Sequence, residues 1–455
     1  LGVTISVDDG YGLDMREIDF NALLYADSYY RSSTVFTADY GIWSDQFRGT
    51  GFKYNSDGKP IGGTVTSYTM LYGMTEMVVI SGISIQARTI ADAAETVSLS
   101  DDIAIIREAL AGNDRLKGGL HANYLRGYAG NDVVSGGVYE DDLFGDDGDD
   151  KISGGDRSDN LYGGNGNDTL NGGSGAADII SGGAGSDTAS YVGGVVGVVA
   201  SLKTPANNTY DANGDQYSSI ENLTGTSYSD ILEGNANANV LTGGNGNDRL
   251  IGRAGGDTLN GGAGTDSAYY YGATAGVIAN LSNASANTND AAGDVYSSIE
   301  NLVGSSYTDG LFGNGVANTL IGNGGDDSLV GYAGNDALHG GAGADRLFGG
   351  TGADRFIFKE TTESTSSVTD TIFDFLASEG DRIDLSGIDA NPYYGGDDAL
   401  VFIGADAFNG GIGELRFEKQ ASDTYVYADV DGDQVADLKI HLDDAITLNS
   451  GHFIL

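Results

Sequence analysis

The chain has no cysteine, three prolines, one tryptophan and four histidines, and its 22 Lys and Arg face 66 Asp and Glu. The missing cysteine excludes a disulfide framework and thiolate metal sites. It does not by itself assign the protein to the cytosol, because disulfides are not the only means of stapling a chain. A formal net charge of −44 argues against nucleic acid and against docking on an anionic bilayer. No apolar run is long enough to span a membrane, and no signal-peptide pattern opens the sequence. The start at Leu1 without Met is compatible with a missing leader. Catalytic signatures are absent too. The histidines are His121, His339, His441 and His452, no two at the i, i+4 spacing of H-E-x-x-H, and there is no G-x-S-x-G. The chain reads as a non-enzyme.

What is abundant is glycine, 74 of 455 residues, and its placement is periodic. Gly163-Gly164-Asn165-Gly166-Asn167-Asp168 is one unit of G-G-x-G-x-D-x-U-x, where U is large and apolar. The sixth position recurs at a step of nine: Asp114, Asn123, Asp132, Asp141, Asp150, Asp159 and Asp168, then, after one inserted residue, Asp178 and Asp187. A second array holds Asp230, Asn239, Asp248, Asp257 and Asp266, and a third Asp309, Asn318, Asp327, Asp336, Asp345 and Asp354. Two places after every slot stands an apolar residue, from Leu116 and Leu125 through Leu250 to Leu347 and Phe356. A disordered Gly- and Asp-rich tract would not hold that phase.

Six residues of each unit suit a turn, with glycines supplying positive φ. Three suit a very short strand with its central apolar side chain inward. Two units make a coil, and stacked coils make a parallel β-roll. Aspartate side chains and turn carbonyls then converge between coils in an all-oxygen cage, which suits Ca²⁺ rather than Mg²⁺ or zinc. The unit resembles the calcium-binding nonapeptide of RTX proteins. On this reading the slot aspartates contribute side chains. The glycines Gly163, Gly164, Gly166, Gly182, Gly183, Gly243, Gly244, Gly261, Gly262, Gly340 and Gly341 contribute carbonyls. Asn123, Asn239 and Asn318 make weaker sites because they bring no charge. About 10–14 ions are expected, each with six to eight oxygens.

Residues 1–100 lack the repeat and read as a small, mainly antiparallel β domain, with runs at Gly2–Val7, Thr34–Tyr40, Phe47–Tyr54, Thr64–Tyr72 and Met77–Gln86. Asn55-Ser56-Asp57-Gly58 is a hairpin-type turn. Asp14–Leu24 suits a short helix. A second helix is expected over Asp101–Ala111, capped by Ser98 or Ser100, with Ile103, Ile106 and Leu110 on one face. It leads into Asp114 and is expected to cap the roll. Tyr25, Tyr29, Tyr30, Tyr40, Trp43 and Phe47 are either core and edge packing or a binding surface. The stretch resembles the leading domain of some bacterial RTX proteins, a likeness that implies no activity.

A longer repeat crosses the middle. Tyr217-Ser218-Ser219-Ile220-Glu221-Asn222-Leu223 returns 79 residues later as Tyr296-Ser297-Ser298-Ile299-Glu300-Asn301-Leu302, without a gap. Each copy joins a nonapeptide array to an insert, 188–224 or 267–303. The inserts, with β runs such as Val195–Leu202 and Val277–Leu281, are expected to form longer strands that continue or flank the roll, loops with a ligand site being the other reading.

After Asp354 come Phe356-Ile357-Phe358, Thr371-Ile372-Phe373-Asp374-Phe375, Asp381-Arg382-Ile383-Asp384-Leu385-Ser386, Gly413-Glu414-Leu415-Arg416 and Asp429-Val430-Asp431-Gly432-Asp433. Residues 355–455 thereby resemble the C-terminal domain of serralysin-type secreted metalloproteases, and the resemblance implies an uncleaved signal for type I secretion, with Phe453-Ile454-Leu455 at its end. No protease domain accompanies it, and the N-terminal part is too short to be the catalytic module of RTX-bearing alginate epimerases. Asp429, Asp431 and Asp433, with Asp437, form either one more Ca²⁺ site or a solvated acidic turn.

The sequence thus predicts an all-β, secreted, calcium-binding protein of the extracellular space or cell surface, with four parts at 1–100, 101–113, 114–354 and 355–455. Its expected role is structural, in a surface layer, filament or matrix, with itself as partner. An adhesin or glycan-binding protein using the N-terminal domain is the alternative. An enzyme with an unseen site is the third reading.

Overall fold

Eighteen residues return the chain to the same place in space. In a computed structural model describing residues 2–96, 98–175, 177–391 and 398–455, the strand Asp142–Asp147 pairs in parallel with Asn160–Asn165, setting Leu143 opposite Leu161. Lys151–Asp156 pairs likewise with Thr169–Ser174, setting Ile152 opposite Leu170. Successive units therefore join alternate sheets, and their apolar side chains meet between them. Leu125, Leu143, Leu161 and Leu170 are wholly buried. The shared period of sequence and strand pairing is what makes this a parallel β-roll. The chain forms two compact units, 1–226 and 227–455.

In the first unit an antiparallel sheet runs in the order Ser28–Arg31, Val35–Tyr40, Trp43–Tyr54, Pro60–Tyr72, Thr75–Gln86 and Thr4–Val7. Thr4–Val7 then pairs in parallel with Arg115–Lys117, the first strand of the roll. The N-terminal segment thus supplies the coil that precedes Asp114: the Val3 and Leu13 N–H groups donate to Asp114 and Asn123 Oδ1 as the earlier slots of a ladder would. Residues 2–15 thus share the end of the roll with the helix expected to cap it, whose Leu110 carbonyl accepts the Ala129 N–H at 3.4 Å. Three corrections concern helices. Asp14–Leu24 is not one helix but two 3₁₀ turns, Met15–Glu17 and Phe20–Leu24, each started by an aspartate side chain, Asp14 or Asp19, that accepts a backbone N–H. The helix expected over Asp101–Ala111 runs Leu99–Ala109 (α2) with Ser98 as its cap, and it buries Ile105 and Ile106 while Ile103 is only half-buried. A preceding helix, Ala87–Ala93 (α1), was not foreseen. Its pattern is masked by small alanines, and it packs on Pro60–Tyr72 through Ala87, Ile90 and Ala91.

The inserts do not form longer strands. Residues 188–224 give three-residue strands at Thr188–Ser190, Val199–Ser201, Gln216–Ser218 and Asn222–Thr224, with two 3₁₀ turns, Pro205–Asn207 and Tyr210–Ala212, between the second and third. Gln216–Ser218 is the last strand of the five-stranded sheet that begins at Tyr124–Ala129. In the second unit the copy 267–303 acts in the same way: Val295–Ser297 ends one sheet, beside Thr258–Ala263, while Ile278–Asn280 begins another, beside Gly310–Phe312. Each insert therefore ends one stack of strands. Beyond Asp354 the coil steps run on, Arg355–Ile357 pairing with Arg382–Asp384 and Arg346–Phe348 with Asp370–Ile372. A meander of Glu414–Lys419, Thr424–Asp429 and Leu438–Leu442 joins the second of these, and Phe453–Ile454 joins the first.

Candidate metal centre

Every coil step repeats one contact. The slot N–H donates to Oδ1 of the aspartate one coil on: Asp114 to Asp132 at 2.8 Å, Asp132 to Asp150 at 2.7 Å, Asp150 to Asp168 at 2.8 Å and Asp168 to Asp187 at 2.8 Å. The other edge has Asn123 to Asp141 at 2.7 Å, Asp141 to Asp159 at 2.8 Å and Asp159 to Asp178 at 2.8 Å. The later arrays match, with Asp230 to Asp248, Asn239 to Asp257, Asp248 to Asp266, Asp309 to Asp327, Asn318 to Asp336, Asp327 to Asp345 and Asp336 to Asp354, all at 2.7–2.8 Å. One carboxylate oxygen of each aspartate is thereby spent, and each aspartate is fixed in place.

At most slots the other oxygen has no partner. Oδ2 is buried without a hydrogen-bond partner in Asp114, Asp132, Asp141, Asp150, Asp159, Asp168, Asp178, Asp187, Asp248, Asp257, Asp266, Asp327, Asp336, Asp345 and Asp354. Orphaned buried acceptors are rare because each forfeits its hydration, at about 1–3 kcal/mol or more for a charge. A row of them is the donor set of a cation site. The surroundings fit one. A Cβ on Gly163 would stand 2.2 Å from Asp168 Oδ2 and 2.6 Å from the Gly182 carbonyl oxygen. Gly145 cradles Asp150 Oδ2 and the Gly163 oxygen in this way, Gly243 cradles Asp248 Oδ2 and the Gly261 oxygen, and Gly322 cradles Asp327 Oδ2 and the Gly340 oxygen. Glycine leaves the space, and all its donors are oxygens, as Ca²⁺ requires. The second glycines also shape the turns. Gly164, Gly183, Gly244, Gly262 and Gly341 turn the chain at positive φ, and the carbonyls of Gly164 and Gly244 lie against Gly183 and Gly262 one coil on.

Electrostatics agree. Burial pushes the Asp132 carboxyl up to about 7, Asp159 to about 8 and Asp327 to about 8, against the opposing N–H bond and reinforced by neighbouring aspartates of the ladder. Without a cation these groups resist ionising together.

The ladder includes residues that the nonapeptide count overlooks. Asp178 and Asp187 donate to Asp215 Oδ1 and Glu221 Oε2, and Asp257 and Asp266 donate to Asp294 Oδ1 and Glu300 Oε2. Asp345 donates to Asp370 and Asp354 to Asp381. Asp370 Oδ2 is orphaned as well, and burial drives its carboxyl to about 9. The signal was present: each of these acids has an apolar or aromatic residue two places on, such as Tyr217, Leu223, Ile372 and Ile383, but loops break the step of nine.

Several slots are closed by protein donors. Tyr191 and Tyr270 hydroxyls donate to Asp215 and Asp294 Oδ2 at 2.9 and 2.8 Å. The Ser305 N–H and hydroxyl donate to Asp309 Oδ2 at 2.6 and 3.0 Å. The Asn123 amide donates to Asp141 Oδ1 and the Asn318 amide to the Glu300 carbonyl, both at 2.8 Å, while Asn239 Oδ1 accepts the Asn235 N–H at 2.7 Å. At the far end, Asp429, Asp431 and Asp433 bring one carboxylate oxygen each within 4.8 Å of one another. Both Asp429 oxygens are already used, by Gly432 and Gln434 N–H at 2.7 and 2.8 Å, so this turn differs from the ladder.

Residues 108–138, 144–176 and 153–189 match the family described as RTX calcium-binding nonapeptide repeat (4 copies). Residues 195–454, more than half of the chain, match the family described as Peptidase M10 serralysin C terminal. No curated protein matches. Among solved structures, two subunits of the Azotobacter vinelandii mannuronan C5-epimerase are similar. Subunit AlgE6R3 is 33% identical over 33% of this chain and 80% of its own, with TM-score 0.26. Subunit AlgE6R2 is 27% identical over 34% and 91%, with TM-score 0.24. The extracellular lipase LipA of Serratia marcescens is 14% identical over 99% and 85%, with TM-score 0.21. The chain is a calcium-binding RTX-repeat protein and belongs to the serralysin C-terminal family.

Proposed function

We propose that the chain is an exported structural protein that folds on Ca²⁺ outside the cell and builds a surface layer, filament or matrix. The row of orphaned Oδ2 atoms supports the calcium-dependent folding in this reading, because buried carboxylates left without a cation destabilise the folded state. The slot aspartates hold the ions through Oδ2, and the first-glycine carbonyls of the next coil complete each cage. Cytosolic calcium is too scarce to fill sites of extracellular affinity, roughly 10⁻⁴–10⁻³ M, so the arrays stay open until type I export. Both families are typical of secreted proteins. Imaging the purified protein with and without Ca²⁺ tests the role. Ordered sheets or filaments that form with Ca²⁺ and dissolve in chelator are expected, and monodisperse monomers under both conditions would contradict it.

A second reading is an adhesin that binds glycans through its N-terminal domain. Tyr25 and Tyr30, 78% and 59% exposed, favour it. Loss of glycan binding on replacing both by Ala would support it over assembly.

A further inference from the structure

The N-terminal domain contains an open cavity of about 180 Å³, walled by Leu23, Phe36, Phe47, Phe52, Val65 and Ile90. All six side chains are at least nine-tenths buried. A smaller, wholly apolar void of about 20 Å³ lies behind it, and Phe47 and Ile90 line both. Such a space forfeits packing contacts on every wall that faces it. Helix α1 leaves it open by presenting Ala87, Ala91 and Ala94, where larger side chains would fill it. The size is informative: an apolar cavity of about 150 Å³ accommodates a benzene ring.

The mouth carries two cations, Lys59 and Arg31, and two carboxylates, Asp57 and Glu95. Lys59 is neutralised, its Nζ standing 2.8 Å from Asp92 and 2.9 Å from Glu95. Arg31 is not. Its guanidinium lies 4.7 Å from the Tyr29 ring centroid and packs on Gly58, where a Cβ would stand 2.6 Å from Cζ. Among the described residues no carboxylate pairs with it. Arg31 thus stands at the lip of an apolar cavity, held by the Tyr29 ring and by Gly58, with its donors free to meet a ligand.

We propose that this cavity binds a small apolar carboxylate, with a body about the size of one ring or a short alkyl chain inside and its anionic head on Arg31. The apolar walls suit such a body and not a sugar, whose hydroxyls would be left without partners. The site is independent of the calcium ladder and of any assembly role.

The test uses the full chain in saturating Ca²⁺, titrated with 3-phenylpropionate and with the neutral 3-phenylpropanol, by calorimetry and ligand-observed NMR. The acid should bind saturably at one site, about tenfold tighter than the alcohol, the difference being one charge-assisted bond. Arg31→Gln, an exposed change, should bring the acid down to the affinity of the alcohol. Ala91→Leu should abolish both while leaving the thermal transition in place. If Ala91→Leu fails to fold, chemical-shift changes on the wild-type Leu23, Val65 and Ile90 methyls report the same occupancy. No saturable binding at millimolar ligand, equal affinity for acid and alcohol, or shifts elsewhere would each overturn the proposal.

Discussion

The Tyr270 hydroxyl donates to Asp294 Oδ2 at 2.8 Å, satisfying with a protein donor the oxygen that is orphaned at other slots. Tyr191 does the same for Asp215 at 2.9 Å, 79 residues earlier. Both aspartates stand where a stack of strands ends, at Gln216–Ser218 and Val295–Ser297. Each insert is therefore expected to stop one edge of the ladder without a cation. Asp294→Asn should leave the number of bound Ca²⁺ per chain unchanged by elemental analysis, whereas Asp168→Asn should lower it. Tyr270→Phe should keep the count and cost about 1–3 kcal/mol in urea unfolding at saturating Ca²⁺, since it strands a buried acceptor.

Filling a cage should mimic emptying it. Gly163→Ala puts a methyl 2.2 Å from Asp168 Oδ2, in the space proposed for the ion. Like Asp168→Ala, it should raise the Ca²⁺ concentration at the folding midpoint by roughly threefold or more. The matched control is Gly41→Ala, where a Cβ meets nothing within 4 Å. Its positive φ costs stability but should leave the calcium midpoint unshifted.

Acid should partly replace calcium. The ladder carboxyls are raised by burial, Asp168 and Asp178 to about 6 and Asp248 and Asp257 to about 7. In calcium-free buffer the folded state therefore holds more protons than the unfolded one, and stability is lost as pH rises from about 4 through these values. Circular dichroism in calcium-free buffer should show more β structure near pH 4 than near pH 8. In saturating Ca²⁺ the slope reverses, because protons must leave before the ion binds.

The terminal residues are part of the fold. Phe453–Ile454 pairs in parallel with Ile383–Asp384, and Ile454 accepts the Leu385 N–H at 2.8 Å. Removing residues 453–455 should lower the thermal midpoint of the loaded protein. If the serralysin-family tail directs export, removal of the last fifty or so residues should abolish secretion into the medium, and undiminished secretion would contradict that role.

The roll was legible because one residue in nine fixes both its turn and its core. The step from Asp150 to Asp159 to Asp168 is also the step from one sheet to the other and back. Legibility failed where loops interrupt the step. Asp215 and Asp294 lie 37 residues beyond Asp178 and Asp257, so the aromatic residue two places after each, Tyr217 or Tyr296, falls out of the step of nine, and their buried contacts identify them as ladder members. The strand expected over Gly2–Val7 is present as Thr4–Val7, but its parallel pairing with Arg115–Lys117, which makes it a coil step of the roll, is a tertiary feature that no local propensity encodes. Helix α1 was hidden for the opposite reason: its buried face is mostly alanine, too small to mark a period.

The central claim is that Ca²⁺ makes the ladder's folded state possible. The direct measurement is the far-ultraviolet circular dichroism of the whole chain during a calcium titration at neutral pH, with bound ions counted in parallel. The account predicts a largely unfolded spectrum for the arrays in excess chelator, residual β signal from the N-terminal domain, and a cooperative rise to full β content as about 10–14 ions bind. A full β spectrum in excess chelator, or completion of folding with only one or two ions bound, would contradict it.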